Sequence, residues 1–137
     1  MPHDDFAAVL PHTAPVDERS RLLLLAIRRM AAHGLNDAHA AHACLTGFGL
    51  GYRRPLILLR ALMAEISRAS ERKIIVAPCC CPRMTRDEAA LLHAIDAAPT
   101  DRFEAHVALE SLLGTPLCLG ALTSAEALGE AVLELSA

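Results

Sequence analysis

The chain has 137 residues, of which 53% are hydrophobic and 21% are charged, and its formal net charge is −3. This length suits a single domain, and the apolar content excludes intrinsic disorder, which needs low hydrophobicity and high net charge. The negative charge, with no Trp, one Tyr and three Phe, argues against binding nucleic acid through phosphate contacts or base stacking.

Neither the N-terminus nor the apolar runs indicate export or membrane insertion. The first residues include Asp4 and Asp5, where a secretory signal would carry positive charge. The longest purely apolar run is Leu22–Ile27, far short of the roughly 20 residues that cross a bilayer. We therefore expect a cytoplasmic protein that does not contact membranes. Its five cysteines, an odd number, indicate reduced thiols or a ligand site, not a disulfide framework.

The composition predicts a helical protein. Residues 1–15 contain three prolines and no sustained periodicity, so we expect a flexible N-terminal arm followed by a single helical domain over residues 16–137. The apolar residues are mostly Leu, Ala and Ile, which favour helices over strands. The predicted fold is all-α, a compact bundle of five or six helices around a central apolar helix, the third, with one short two-stranded element.

The first helix is predicted over Val16–His33. Asp17 is its expected N-cap and Gly34 its C-terminal stop. Its apolar positions form a wide stripe, and Arg28 is assigned to the opposite, polar face.

The second and third helices differ in character. Asn36 is the predicted cap of an Ala-rich helix over Asp37–Phe48, thin enough for close packing against a neighbour. Pro55 suits the first turn of a helix over Arg54–Arg72, which is apolar on most sides and therefore expected to lie centrally.

Capping signals predict three further helices. The fourth starts at a capping box on Thr85 and ends near Ala98. The fifth starts at Asp101 and ends near Leu113 before a glycine. The sixth starts at Thr123 and continues to the C-terminus.

Two short segments have strand character. Lys73–Ala77 is β-branched, and Thr115–Leu119 lies between glycines. Because a lone strand cannot satisfy its backbone, the two segments must pair with each other or across a dimer. Pairing with each other would bring Cys118 towards the cysteines at 79–81.

Three consecutive cysteines, Cys79 to Cys81, are the most unusual feature. Arg83 and Arg86 and the start of the fourth helix lie nearby, and such surroundings favour the reactive thiolate. In an extended chain Cys79 and Cys81 share a face while Cys80 points away, so a metal would need outside ligands. The candidate ligands for zinc, or for another transition metal, are Cys79, Cys80, Cys81, Cys118, His39 and His42.

Other interpretations of the cysteines remain open. A thiol-redox site is possible on chemical grounds, although the triplet lacks the C-x-x-C spacing of thioredoxin-like sites. The Cys81-Pro82 pair also matches a short haem-binding motif. The simplest interpretation is that free cysteines pack as small buried hydrophobic residues beneath Ile74–Val76.

No catalytic constellation is recognisable. The chain lacks H-E-x-x-H, G-x-S-x-G and a phosphate-binding glycine loop. Its apolar surplus favours a non-enzymatic homodimer or a protein-interaction module without a cofactor. The alternative function is a metal-binding or thiol-redox protein that uses the cysteine loop. No Lys or Arg follows Arg102, so the acidic last helix is a candidate to dock on a basic face of another subunit.

Three stretches carry a resemblance to a known family. Asn36-Asp37-Ala38-His39, Arg53-Arg54-Pro55 and Pro78-Cys79-Cys80-Cys81-Pro82-Arg83-Met84 resemble a small bacterial family of unknown function, over the central two thirds of the chain. The resemblance implies no activity, cofactor or catalytic residue.

Overall fold

A computed structural model describes residues 10–136 of the chain. These residues form six α-helices and one two-stranded antiparallel sheet, which confirms the predicted all-α fold. In chain order the elements are β1 (His12–Thr13), α1 (Glu18–His33), α2 (Ala38–Phe48), a 3-10 turn (Gly49–Gly51), α3 (Arg53–Ala69), β2 (Arg83–Met84), α4 (Arg86–Ala97), α5 (Arg102–Leu113) and α6 (Leu119–Ser136).

The predicted caps of α1, α4 and α5 are confirmed. The Asp17 carboxylate accepts a hydrogen bond from the Ser20 N–H over 2.8 Å. Gly34 ends α1 with a φ of 105°, a conformation that favours glycine. Thr85 starts α4 with a complete capping box, and Asp101 caps α5.

Three helix boundaries differ from the prediction. Asp37, not Asn36, caps α2, because its carboxylate accepts the Ala40 N–H over 3.0 Å. α3 ends at Ala69, not Arg72, because the next residue adopts an extended conformation. α6 begins at Leu119, so Thr123 lies inside the helix and does not cap it.

The strand prediction was wrong in position. Lys73–Ala77 pairs with no strand among the described residues, because side chains at the start of α4 bind its backbone instead. The Asp87 carboxylate accepts the Ile75 N–H over 2.7 Å, and the Thr85 hydroxyl donates to the Ile75 carbonyl over 2.7 Å. Thr115–Leu119 forms a turn and the start of α6. The two-stranded element is β1 paired with β2.

The helices pack chiefly as three neighbouring pairs, α1 with α2, α3 with α6 and α4 with α5. Leucines from α3, α5 and α6 lie in the centre of the core with no exposed surface, namely Leu59, Leu62, Leu109 and Leu128. α3 supplies the first two of these, yet its Ile57 is 60% exposed. The third helix therefore contributes to the core from one side and is not enclosed all round.

α4 and α6 approach each other at backbone distance. A methyl group placed on Gly129 of α6 would lie 2.5 Å from the carbonyl oxygen of Ile95 and 2.6 Å from the Pro99 ring. These distances are shorter than van der Waals contact, so only glycine fits at this crossing.

Arg28 is buried, and its assignment to the polar face of α1 was wrong. Its Nε donates to the Glu88 carboxylate over 2.7 Å, and the two side chains are 3% and 1% exposed. Arg28 lies one turn beyond Leu24, which is itself buried, and so continues the apolar stripe. A buried charge is costly unless it is paired and hydrogen-bonded. Here the guanidinium of Arg28 and the carboxylate of Glu88 neutralise each other.

The described part of the N-terminal segment is attached to the loop before α4. Leu10 is buried, and the Arg83 side chain donates to the carbonyl oxygens of Leu10 and Pro11 over 2.8 and 3.0 Å. Residues 1–9 of the predicted arm lie outside the described residues. No helix within residues 10–136 is long and apolar enough to cross a membrane.

We predict that Glu88→Ala lowers the free energy of unfolding by about 3–5 kcal/mol, because it leaves the buried Arg28 without its counter-charge. Glu134→Ala is the matched control: Glu134 pairs with Arg54 in the open, and its loss should cost less than about 1 kcal/mol. Urea denaturation of the two variants measures both values. Equal losses would contradict the importance assigned to the buried pair.

Candidate thiol site

The three consecutive cysteines lie in a tight turn immediately before β2. The Cys81 N–H donates to the Pro78 carbonyl oxygen over 3.1 Å, which closes a β-turn. Cys79 and Cys80 occupy its two central positions and are exposed. Their Sγ atoms lie 3.6 Å apart. The turn therefore presents two neighbouring thiols to solvent.

This turn corrects two expectations drawn from the sequence. The chain at the cysteines is not extended, so Cys80 does not point away from Cys79 but lies beside it. The cysteines also do not serve simply to pack: Cys79 and Cys80 are exposed, and Cys81 is half-buried.

Arg28 and Glu88 attach the backbone on both sides of the turn to the core. After the turn, the Arg28 guanidinium donates to the carbonyl oxygens of Cys81 and Arg83, each over 2.8 Å. Before the turn, the Glu88 carboxylate accepts the Ala77 N–H over 3.0 Å. The same carboxylate accepts the N–H of Thr85 over 2.9 Å. The buried pair thus fixes the backbone on both flanks of the two thiols.

A second arginine of α1 contacts the turn itself. Arg29 donates to the Asp37 carboxylate over 3.1 and 3.3 Å, and it also interacts with Cys79. The hydrogen bond that Arg29 donates to Asp37, followed by weaker contributions that include Cys79, raises the pKa of the Arg29 guanidinium.

The two exposed thiols are not equivalent. Hydrogen bonding and charge from Cys79 raise the pKa of Cys80 above its usual value. A thiolate on one sulfur therefore keeps the proton on the other. Cys80 therefore keeps its proton more readily than an isolated thiol does.

A surface groove opens beside the turn. Its volume is about 420 Å³, and Cys79 and Cys81 both line it. The rest of its wall is formed by one face of α1 and by Pro82, with Ala14 near one end. Groove and turn together form an open, thiol-lined surface.

The structure does not bring the predicted metal ligands together. His39 and His42 are exposed on α2, where His39 helps Arg29 and the Ala40 N–H to lower the pKa of Asp37. Cys118 is buried, with its Sγ 3.3 Å from Nδ1 of His106. Within residues 10–136, no group of three or more His, Cys, Asp or Glu side chains could hold a metal ion.

Sequence reasoning missed the residues that support the site. The capping box placed Glu88 in the first turn of α4, but nothing local linked it to Arg28, 60 positions earlier. Arg29 and Asp37 likewise meet only because α1 and α2 pack together. The available signal was the spacing of Arg28, one helical turn after an apolar residue.

Comparison with known proteins identifies a family without an assigned function. The model of the family of unknown function DUF6628 matches residues 1–137. The chain belongs to this family. The match covers residues 1–137, whereas the sequence resemblance covered only the central two thirds of the chain. No curated protein and no solved structure matches it.

We predict that alkylation of the native protein separates the cysteines into two classes. Cys79 and Cys80 are exposed and should react first. Burial raises the pKa of Cys44 to about 11, so its thiolate fraction near neutral pH is about a hundredfold smaller than that of an ordinary thiol. Burial, with a contribution from Glu110, raises the pKa of Cys118 as well.

Timed labelling with N-ethylmaleimide followed by peptide mass spectrometry measures these rates, and labelling in denaturant supplies the control. Rapid native labelling of Cys44 or Cys118 would contradict the assignment of the turn as the reactive position.

Proposed function

We propose that this protein is a dithiol redox module whose reactive pair is Cys79 and Cys80. The observation that carries the proposal is the 3.6 Å separation of two exposed sulfurs in a turn fixed by buried charges. In this function the two thiols of the pair are oxidised to a disulfide. The oxidant is a disulfide substrate.

Cys79 is the attacking residue in the proposed cycle. Cys79 lines the groove beside the turn, and the thiolate is the nucleophilic form of cysteine. The thiolate attacks one sulfur of the substrate disulfide, and a bond forms between Cys79 Sγ and that half. The substrate S–S bond breaks, and the other half leaves as a thiolate that takes a proton from water.

Cys80 is the resolving residue. Its pKa is raised because Cys79 lies beside it. Once Cys79 is part of a mixed disulfide its negative charge is gone, so the cause of that rise disappears and Cys80 loses its proton more easily. The Cys80 thiolate then attacks Cys79 Sγ and releases the first half of the substrate. Two electrons have passed from the pair to the substrate disulfide.

The buried pair supports this function by fixing the turn before reaction. Arg28 and Glu88 bind backbone atoms on both sides of the cysteines, and the two sulfurs lie 3.6 Å apart before reaction. Thiol exchange depends on such placement as well as on thiolate fraction.

We predict that the wild-type pair forms a disulfide in an oxidising glutathione buffer and is reduced again by dithiothreitol. Lys73 and Arg83 are tryptic sites, so one peptide, residues 74–83, contains all three turn cysteines, whereas Cys44 and Cys118 lie elsewhere. Mass spectrometry of that peptide after alkylation shows whether two hydrogens have been lost. Cys79→Ser and Cys80→Ser should both abolish the disulfide.

Cys81→Ser is the matched control, since it changes the same peptide and should retain the disulfide. A peptide that stays reduced under all buffers would end the redox proposal. Stoichiometric zinc in protein purified without chelator, lost in Cys79→Ser or Cys81→Ser, would replace it with the metal-binding function.

A second candidate function, self-association, is supported by two exposed apolar patches with opposite charges. The acidic patch contains Phe103, Val107, Leu117 and Leu119, which are 76%, 47%, 79% and 70% exposed, beside Glu104 and Glu110. The contact of Cys118 with His106 attaches the turn carrying the two leucines to α5. Exposed patches of this kind mark interaction surfaces.

The basic patch contains Leu50 and Ile57, which are 96% and 60% exposed, and the exposed Arg53 and Arg54. We propose a second copy of this chain as the occupant of the acidic patch, because the two patches match in polarity and oppose in charge. The acidic patch lies on α5 and at the start of α6, whereas the sequence suggested docking through the acidic face of the last helix.

We predict that the protein elutes as a dimer in size-exclusion chromatography with light scattering. Phe103→Lys and Leu50→Glu should each weaken the dimer at least tenfold, about 1.4 kcal/mol, because each places a charge against the like charges of the opposing patch. Val16→Glu is the control, since Val16 is 91% exposed outside both patches. A monomer at all concentrations would contradict self-association.

A further inference from the structure

The groove beside the cysteines has a thiol lining. Larger grooves of about 580 and 630 Å³ flank the segment 74–76, but among the described residues no cysteine lines either. The groove of about 420 Å³ includes both Cys79 and Cys81. A molecule lying in it would reach the attacking sulfur without any rearrangement of the chain.

We propose that this groove binds a small peptide-like disulfide through a free carboxylate, with Arg21 as the residue that selects it. The inference rests on the dithiol function proposed above and names its substrate class. Volumes of about 300 to 1,000 Å³ are usual for small-molecule sites.

The groove floor is a single face of α1. Glu18, Arg21, Leu25 and Arg28 line it at spacings of three, four and three residues, which places them on one side of the helix. Arg28 is next to the cysteine end, because it binds the Cys81 carbonyl. Arg21 lies two turns away, about 10 Å along the helix axis.

The arginines at the two ends of the groove, Arg28 and Arg21, differ in the hydrogen bonds that they already make. Arg28 already donates hydrogen bonds to Glu88 and to two carbonyl oxygens, so it is not the residue that binds the substrate carboxylate. Arg21 is exposed and uses Nη1 to donate to the Val16 carbonyl over 2.8 Å. A guanidinium has five N–H donors and pairs well with carboxylate. Glu18, at the same end, is complementary to an ammonium group.

The distance between these ends matches a short peptide. Two to three extended residues span roughly 7–11 Å. A substrate sulfur at Cys79 therefore allows the carboxylate of a peptide of that length to reach Arg21, while Leu22 and Leu25 contact its apolar atoms. A disulfide without charged ends lacks this contact.

The test compares two disulfides on the reduced full-length protein. Glutathione disulfide carries carboxylates and ammonium groups on a short peptide, and hydroxyethyl disulfide is neutral. The rate of thiol loss in the peptide 74–83 is measured for each and divided by the rate of the same disulfide with dithiothreitol, which removes differences in intrinsic reactivity.

We expect the normalised rate with glutathione disulfide to exceed that with hydroxyethyl disulfide about tenfold, the usual gain from one charge-assisted contact. Arg21→Gln should remove this preference, and a helical circular dichroism spectrum like that of the wild type shows that the variant is folded. Arg53→Gln, an exposed arginine outside the groove, should keep the preference.

Equal normalised rates, or a preference that survives Arg21→Gln, would overturn the inference about the groove. If the neutral disulfide still oxidises Cys79 and Cys80 in that case, the dithiol function stands alone. If neither disulfide oxidises the pair, the proposed function fails together with the inference.

Discussion

The buried pair of Arg28 and Glu88 is the interaction on which the cysteine loop depends. Removing two charges from water is costly, and a single salt bridge rarely compensates for that cost. Here each charge has further partners: the guanidinium binds two backbone carbonyls, and the carboxylate binds two backbone N–H groups. These hydrogen bonds offset part of the free-energy cost of burying the pair. They also satisfy backbone groups of the loop that would otherwise lie near the core without a partner.

One consequence is that residues 73–77, between α3 and β2, are ordered without being a strand. The backbone of Ile75 binds the side chains of Asp87 and Thr85 at the start of α4 in place of a neighbouring strand. Charged residues on α1 and α4 hold the backbone on both sides of the cysteines. The same contacts leave the two central thiols of the turn facing solvent.

The helices could be predicted because their signals are local. Each N-cap side chain accepts a hydrogen bond from a backbone N–H only three residues later, as at Asp17, Thr85 and Asp101. Both partners can therefore be read from a short stretch of sequence. The sheet and the buried pair join residues 60 or more positions apart, and no local pattern encodes such contacts. The β-branched run Ile74–Val76 predicted a strand, but in the structure side chains at the start of α4 bind the backbone of Ile75.

Only the part of the candidate site that is encoded locally, the three cysteines, could be predicted from the sequence. Three adjacent cysteines are conspicuous in any sequence, and Arg83 nearby suggested a thiolate. Their exposure, and the partnership of Cys79 with Arg29, depend on how α1 lies against the turn. Cys118, His39 and His42 were chosen as ligands by residue type, and the helix packing places them elsewhere.

The close crossing at Gly129 has a consequence for how the molecule can respond to oxidation. α4 begins at the cysteine loop, and its far end meets α6 with no side chain between the backbones. Helices in such contact cannot slide without collision, so α4 is immobilised at the end opposite the thiols. A new covalent bond in the turn must then be accommodated by the short segment before α4. Any signal that it produces will be local, sensed by a molecule touching the loop and not by a remodelled bundle.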